Sequence, residues 1–152
     1  MTKGLILVLS ILSIFRIQAQ IVSIPDASFK AYLVGNGSIN TNSDTEIQLT
    51  EAQAFSGAID ITNSAVLSLT GIEAFTALTS LTCNCSLSTL NVSSNTNLTY
   101  LNCYSNSLSI LDVSNNSMLT YLNCSSNNLS NLDLSSNTLL NTLICGTNQI
   151  SS

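Results

Sequence analysis

Four groups of side chains in this sequence have types and spacing that could do chemistry. The first is a polar run in which, with Asn40 as loop position 1, Asn42, Asp44, Glu46 and Glu51 fall at positions 3, 5, 7 and 12. Oxygen donors so spaced resemble a helix–loop–helix calcium site, so calcium is the one cofactor this run could hold, and none is otherwise expected. Asn stands where that pattern has Asp at its head, and Thr45 where it has Gly. A plain polar turn running into a helix start at Thr50-Glu51-Ala52 fits the same residues. The second group is Asp112 and Asp133, each the middle residue of a Leu-Asp-apolar phrase. Two carboxylates are the equipment of glycoside hydrolysis. Solvated side chains on a flat repeat face are the alternative, and no enzyme is expected.

The third group is the cysteines. Cys103, Cys124 and Cys145 follow one another at intervals of 21 residues, with Cys83 and Cys85 upstream. A column of small buried apolar side chains explains them. One disulfide between neighbouring turns, or a soft metal on Cys83, Cys85 and Cys103, is the chemical alternative. The fourth group is aromatic and amide: Tyr100, Asn102, Tyr104, Tyr121 and Asn123, bounded by Thr142 and Ile144. Tyrosines among small polar neighbours give rigid contact area with a hydroxyl, so these five residues are the expected binding surface. Pairing of aromatics along a ladder for stability accounts for them equally.

Composition removes several function classes. The chain of 152 residues contains no His and no Trp, so neither a Ser-His-Asp nor a Cys-His nucleophilic site can be assembled, nor the usual zinc site. Its net charge is −5, with three Lys and Arg in all. Lys3 and Arg16 lie in the N-terminal segment, which leaves Lys30 alone thereafter. One lysine makes no phosphate-binding surface, so nucleic acid is not an expected partner. Residues 1–19 read as an export signal: Lys3 is followed by the apolar run Leu5 to Phe15 and by a small residue, Ala19, for cleavage. That run is too short to span a bilayer, which predicts a secreted or cell-surface protein with no membrane insertion once the signal is removed.

The elements that must position these groups are repeats. Leu98-Thr-Tyr-Leu-Asn-Cys-Tyr-Ser-Asn-Ser-Leu108, its copy from Leu119 and a third from Leu140 all read L-x-x-L-x-C-x-x-N-x-L/I. A second phrase is nested within each copy. Leu87-x-x-Leu90-x-Val92-x-x-Asn95 recurs from Leu108 and from Leu129. In L-x-C and L-x-V the two-residue period sends both apolar side chains inward and the middle residue outward. Each coil is therefore expected to carry two short strands, and stacked coils two parallel ladders. One coil buries too little to offset the entropy of ordering it, so coils must stack. Asn106, Asn127 and Asn148, and separately Asn95, Asn116 and Asn137, are expected to form two buried columns satisfying backbone groups at the corners.

From about Gly57 onward the sequence resembles bacterial leucine-rich-repeat proteins, and the nested phrase resembles their 21-residue IRREKO class. Leu69 to Leu81 is similar to an internalin-type first coil. Ile24 to Leu33 and Ile39 to Ile47 resemble the cap that precedes such arrays in secreted bacterial proteins. The resemblance implies a β-rich solenoid, a right-handed leucine-rich-repeat coil with parallel ladders on two sides and a small helical N-terminal cap. The chain divides into the signal (1–19), the cap (20–56) and the array (57–152). It implies an interaction module for a protein or glycan ligand; a spacer within a larger surface protein, or a non-catalytic domain attached to an enzyme, is the alternative. Within the cap, Asp26 is placed to cap a short helix that puts Phe29, Tyr32 and Leu33 on one face. The chain stops halfway around a coil without a polar cap, which predicts further sequence downstream.

Overall fold

The computed structural model describes residues 19–150, so the expected export signal, Ala19 excepted, and the last two serines lie outside the described residues. Five short strands, β1 (Ala58–Ile61), β2 (Ser80–Cys83), β3 (Tyr100–Asn102), β4 (Tyr121–Asn123) and β5 (Thr142–Ile144), form one parallel sheet in chain order. Each strand is one pass around a solenoid. The register places Leu81 on Leu101, Leu101 on Leu122 and Leu122 on Leu143, so inward leucines stack on leucines. The alternation of apolar and polar residues produces this directly, because a slip of one residue would turn the leucines to solvent.

Behind the sheet lies a single dry interior. Leu87, Val92, Leu98, Leu101, Cys103, Leu108, Val113, Leu119 and Leu122 are fully buried, and the same core continues into the cap through Phe29, Leu33, Ile39 and Ile47. Helix α1 (Ala27–Val34) is capped by Asp26, whose Oδ1 accepts the N–H groups of Ser28 and Phe29 at 3.0 and 2.9 Å. Its other oxygen, Oδ2, accepts the N–H groups of Leu67 and Ser68 and ties the helix to the first coil. Burial raises the Asp26 pKa, but these four N–H donors outweigh it and hold the carboxyl below its ordinary value. Helix α2 (Leu49–Ala54) starts at Gln48 with Glu51 closing a capping box. Among the described residues no helix is long and apolar enough to cross a membrane.

The expected solenoid is present, but its second ladder is not a sheet. Residues 88–91, 109–112 and 130–133 contain no strand, and no backbone hydrogen bond joins one of these segments to the next. Asn91, Asp112 and Asp133 each turn a side-chain oxygen back onto the N–H two residues on, at Ser93, Ser114 and Ser135, the same Asx turn that Asn102 and Asn123 make on the sheet side.

Candidate functional site

The outward face of the sheet collects most of the tyrosines and amides singled out in the sequence. Tyr100 and Tyr121 are partners in register and stack with ring centroids 4.3 Å apart and planes 6° from parallel. Ser80 and Thr142 flank them on the neighbouring strands. Partial burial and the adjacent Tyr121, to which the Tyr100 hydroxyl donates, push the Tyr100 phenol pKa up. Asn102 and Asn123 pair one step along the same strands. Asn102 Oδ1 accepts the Tyr104 N–H, and Asn123 Oδ1 accepts the N–H and hydroxyl of Ser125. Each amide so ends its strand, and a bond from the Asn102 amide to the Tyr100 hydroxyl counters part of that rise. Tyr104, 41% exposed, stands beyond the end of β3, past the inward Cys103. Four of the five expected residues thus share one patch, and Tyr104 lies at its margin. Ser80, Thr82 and Asp60 complete the columns; Leu78 to Cys83 keeps the L-x-x-L-x-C phrase, whereas β1 departs from it, so only the strand register reveals Asp60.

The corner after each strand is built by Asn106, Asn127 and Asn148. Asn127 Oδ1 accepts the Leu108 N–H at 3.0 Å, and its Nδ2 donates to the carbonyls of Cys103, Cys124 and Ser125. Asn106 and Asn148 bind the preceding coil in the same way. The residue before each, Ser105, Ser126 and Thr147, turns the chain with φ of 57, 54 and 56°. The thiols line the interior beside this corner. Cys83, Cys85, Cys103 and Cys124 are buried, Cys145 is half-buried, and none is in a disulfide. Burial pushes Cys83 and Cys103 well above the ordinary thiol pKa and Cys124 to about 11, with the neighbouring thiols adding to each rise. A soft-metal site on Cys83, Cys85 and Cys103 is not formed, since no metal-holding cluster of His, Cys, Asp or Glu exists among the described residues.

On the opposite side, Asn95, Asn116 and Asn137 form the second column. Asn116 Nδ2 donates to the carbonyls of Val92 and Asn95, and Asn137 Nδ2 to those of Val113 and Asn116. Their Oδ1 atoms are buried without a partner. Asp112 and Asp133 are exposed there, and bonds from Ser114 and Ser135 hold both carboxyls below their ordinary pKa. A general acid needs the reverse, a carboxyl raised toward neutrality.

In the cap loop, the candidate calcium ligands hold one another. Glu51 Oε1 accepts the N–H groups of Thr41 and Asn42 and the Thr41 hydroxyl, while its Oε2 accepts the Gln48 N–H. Asp44 accepts from the Glu46 N–H and from the side-chain amides of Asn42 and Gln48. Both carboxyls sit below their ordinary pKa, Asp44 chiefly through the Glu46 N–H and Glu51 through these same donors acting against burial. Glu46 pairs with Lys30 at 2.7 Å. Asn40 Nδ2 donates to the carbonyls of Val34 and Asp44, and its buried Oδ1 has no partner.

No protein-family model matches the chain, and no curated protein matches it by sequence. Solved structures do. The functional domain of InlJ from Listeria monocytogenes, described as including a cysteine ladder, is 38% identical over 86% of this chain with a TM-score of 0.73. An internalin C2 from the same species aligns over 90% of this chain at 17% identity and TM-score 0.67, and an internalin, InlF, over 91% at 20% and 0.58. The chain spans 29% of the InlJ domain, 48% of InlF and 72% of internalin C2. The two less similar structures share the fold, and this chain has its own inward column of cysteines. By repeat length, sheet register and that column, the chain is an internalin-like leucine-rich-repeat solenoid.

Proposed function

We propose that the chain is an interaction module that binds a protein ligand on the outward face of its sheet, around Tyr100 and Tyr121. The stacked pair carries the reading. Two rings 4.3 Å apart hold each other rigid, so a ligand meets a preformed aromatic ridge with little side-chain entropy left to lose. Beside the ridge, the amides of Asn102 and Asn123 offer donors to a ligand's carbonyls. One face of each ring is already covered by the other. Peptide carbonyls and side chains, which reach ring edges and hydroxyls, therefore suit this surface better than a sugar that needs an open ring face. Likeness to internalin structures supports an interaction role at the coarse level, and secretion or surface display belongs to the same reading.

The alternative, a spacer in a larger surface protein, is favoured by the same stack if it serves only to hold coils together. A binding screen of the chain against panels of soluble proteins and of glycans separates the two. The Tyr100→Ala/Tyr121→Ala variant should keep its circular dichroism spectrum and lose about tenfold or more in affinity for a protein ligand so found, as expected for aromatic anchors. A ligand bound equally well by the variant would overturn the reading.

A further inference from the structure

The outward face of the sheet is uneven: its first two strands present only Ala58, Asp60, Ser80 and Thr82, and Tyr100 rises beside them on β3. The stack on Tyr121 fixes which way the Tyr100 ring faces. The planes are 6° from parallel and the centroids 4.3 Å apart, close to one strand spacing, so the ring normals run across the strands. Tyr121 covers one face of Tyr100. The other face looks toward β2, where the register partner Ser80 is too short to cover it. Across this notch stands Asp60 on β1, one step along the strands, with Thr82 as its neighbour on β2. Asp60 is the only charged side chain among the outward residues of the five strands, and it is exposed. It lies near enough to Tyr100 for its charge to add to the rise of the phenol pKa. No cation of this chain answers it. Lys30, the only Lys or Arg among the described residues, is paired with Glu46 on the cap.

Building on the sheet-face reading, we infer that this notch takes an arginine side chain of the protein ligand, its guanidinium stacked on the uncovered face of Tyr100 and paired with the Asp60 carboxylate. Two separate features call for the same group. An uncovered aromatic face attracts a cation through its ring quadrupole. A carboxylate with no counter-charge in its own chain attracts one too, and accepts a planar fork through both oxygens. A neutral sugar leaves Asp60 without a counter-charge, and an acidic side chain is repelled by it. Guanidinium suits the notch better than ammonium because a flat group lies on the ring while its edge donates in plane. The Ser80 and Thr82 hydroxyls on the floor can accept the donors left over. The subsite therefore selects one residue type at one end of the face, which fixes how a ligand is placed on the tyrosine ridge.

The test titrates the full chain with capped glycine pentapeptides carrying arginine, lysine, citrulline or glutamate at the centre, followed by amide chemical shifts. Salt is held at about 0.1 M, where exposed charges more than about 10 Å apart are screened from each other. The arginine peptide should give saturable shifts centred on Asp60, Ser80, Thr82 and Tyr100, and the lysine peptide weaker ones. Citrulline, which keeps the shape without the charge, and glutamate should give none. Asp60→Asn should weaken the arginine peptide about fivefold, the value of one well-placed surface ion pair. Tyr100→Leu, which removes the ring and no charge, should weaken it about two- to fivefold. Asp112→Asn, which removes the same charge from the far side of the coils, should leave it within about twofold. Both aspartates are exposed, so an unchanged melting temperature certifies the fold of those variants. Equal effects of the two Asp→Asn changes, binding of citrulline as good as arginine, or no binding of arginine would each overturn the inference. A protein ligand that depends on Tyr100 and Tyr121 but not on Asp60 would remove this subsite and leave the sheet-face reading standing. One indifferent to the tyrosines would remove both.

Discussion

Each coil uses nearly the same phrase twice, yet its two sides are held together differently. On the sheet side, Tyr100-Leu101-Asn102 pairs with Tyr121-Leu122-Asn123, and the corner asparagine Asn127 satisfies both its oxygen and its amide hydrogens. On the far side, Leu111-Asp112-Val113 pairs with nothing, and Asn116 uses its hydrogens but leaves Oδ1 buried and alone. The inward residues are alike, so burial does not separate the two sides. Nor does the Asx turn after the outward residue, which Asn102 and Asn123 make as Asp112 and Asp133 do. The corner does: Asn127 Oδ1 accepts the Leu108 N–H of the preceding coil, whereas Asn116 Oδ1 accepts nothing.

The widest gap should appear at the corners. Asn127→Ala strands the Leu108 N–H and removes one of the bonds at Cys103 O, and should cost about 2–4 kcal/mol by chemical denaturation. Asn116→Ala should cost less, about 1–2 kcal/mol, because Val92 O and Asn95 O keep bonds from backbone N–H groups and the orphaned oxygen disappears. The reverse order would break the comparison. Next comes Asp26, which supplies bonds to Leu67 and Ser68 at the head of the unpaired side. Asp26→Ala should cost about 1–2 kcal/mol as a lost helix cap. Its native pKa lies below the ordinary 3.8, so its contribution is present above that value and lost as pH falls through the lowered one. Acid titration of stability should accordingly flatten in the variant.

A third effect belongs to the sheet side alone. The Cys124 thiol rises from 9.0 to about 11, so under reducing conditions its contribution to stability is whole below pH 9 and lost as pH rises toward 11. Cys124→Ala should lessen that alkaline loss, read as melting temperature against pH. The smallest effect is at the left-handed corner: Ser126→Gly relieves φ of 54° and should stabilise by up to about 1 kcal/mol. A destabilisation there would show that the Ser side chain has a role beyond the turn.

Much of this was legible in the residues. Leucine and cysteine spacing placed the interior, Asp26 announced the first helix, and the tyrosines fell on one face because their strands share a register. The far side was misread because periodicity reports where side chains point and says nothing of how long the backbone stays extended. Asp112 and Asp133 looked like outward strand residues, whereas their carboxylates act first on their own chain. The cap loop has the same lesson. Its ligand spacing was visible, but only three dimensions show Glu51 turned onto Thr41, Asn42 and Gln48. Calorimetric titration with calcium should therefore give no heat and no shift in melting temperature, and a chelator-sensitive shift would mean that these bonds yield to the ion.

The central claim is that one side of every coil is laddered and the other is not. Residue-resolved hydrogen exchange measures this directly. The amides of Cys103, Tyr121 and Cys124, which donate to Asn123 O, Thr99 O and Ile144 O, should exchange orders of magnitude more slowly than those of Leu90, Leu111 and Asp112. Equal protection on the two sides would contradict the account.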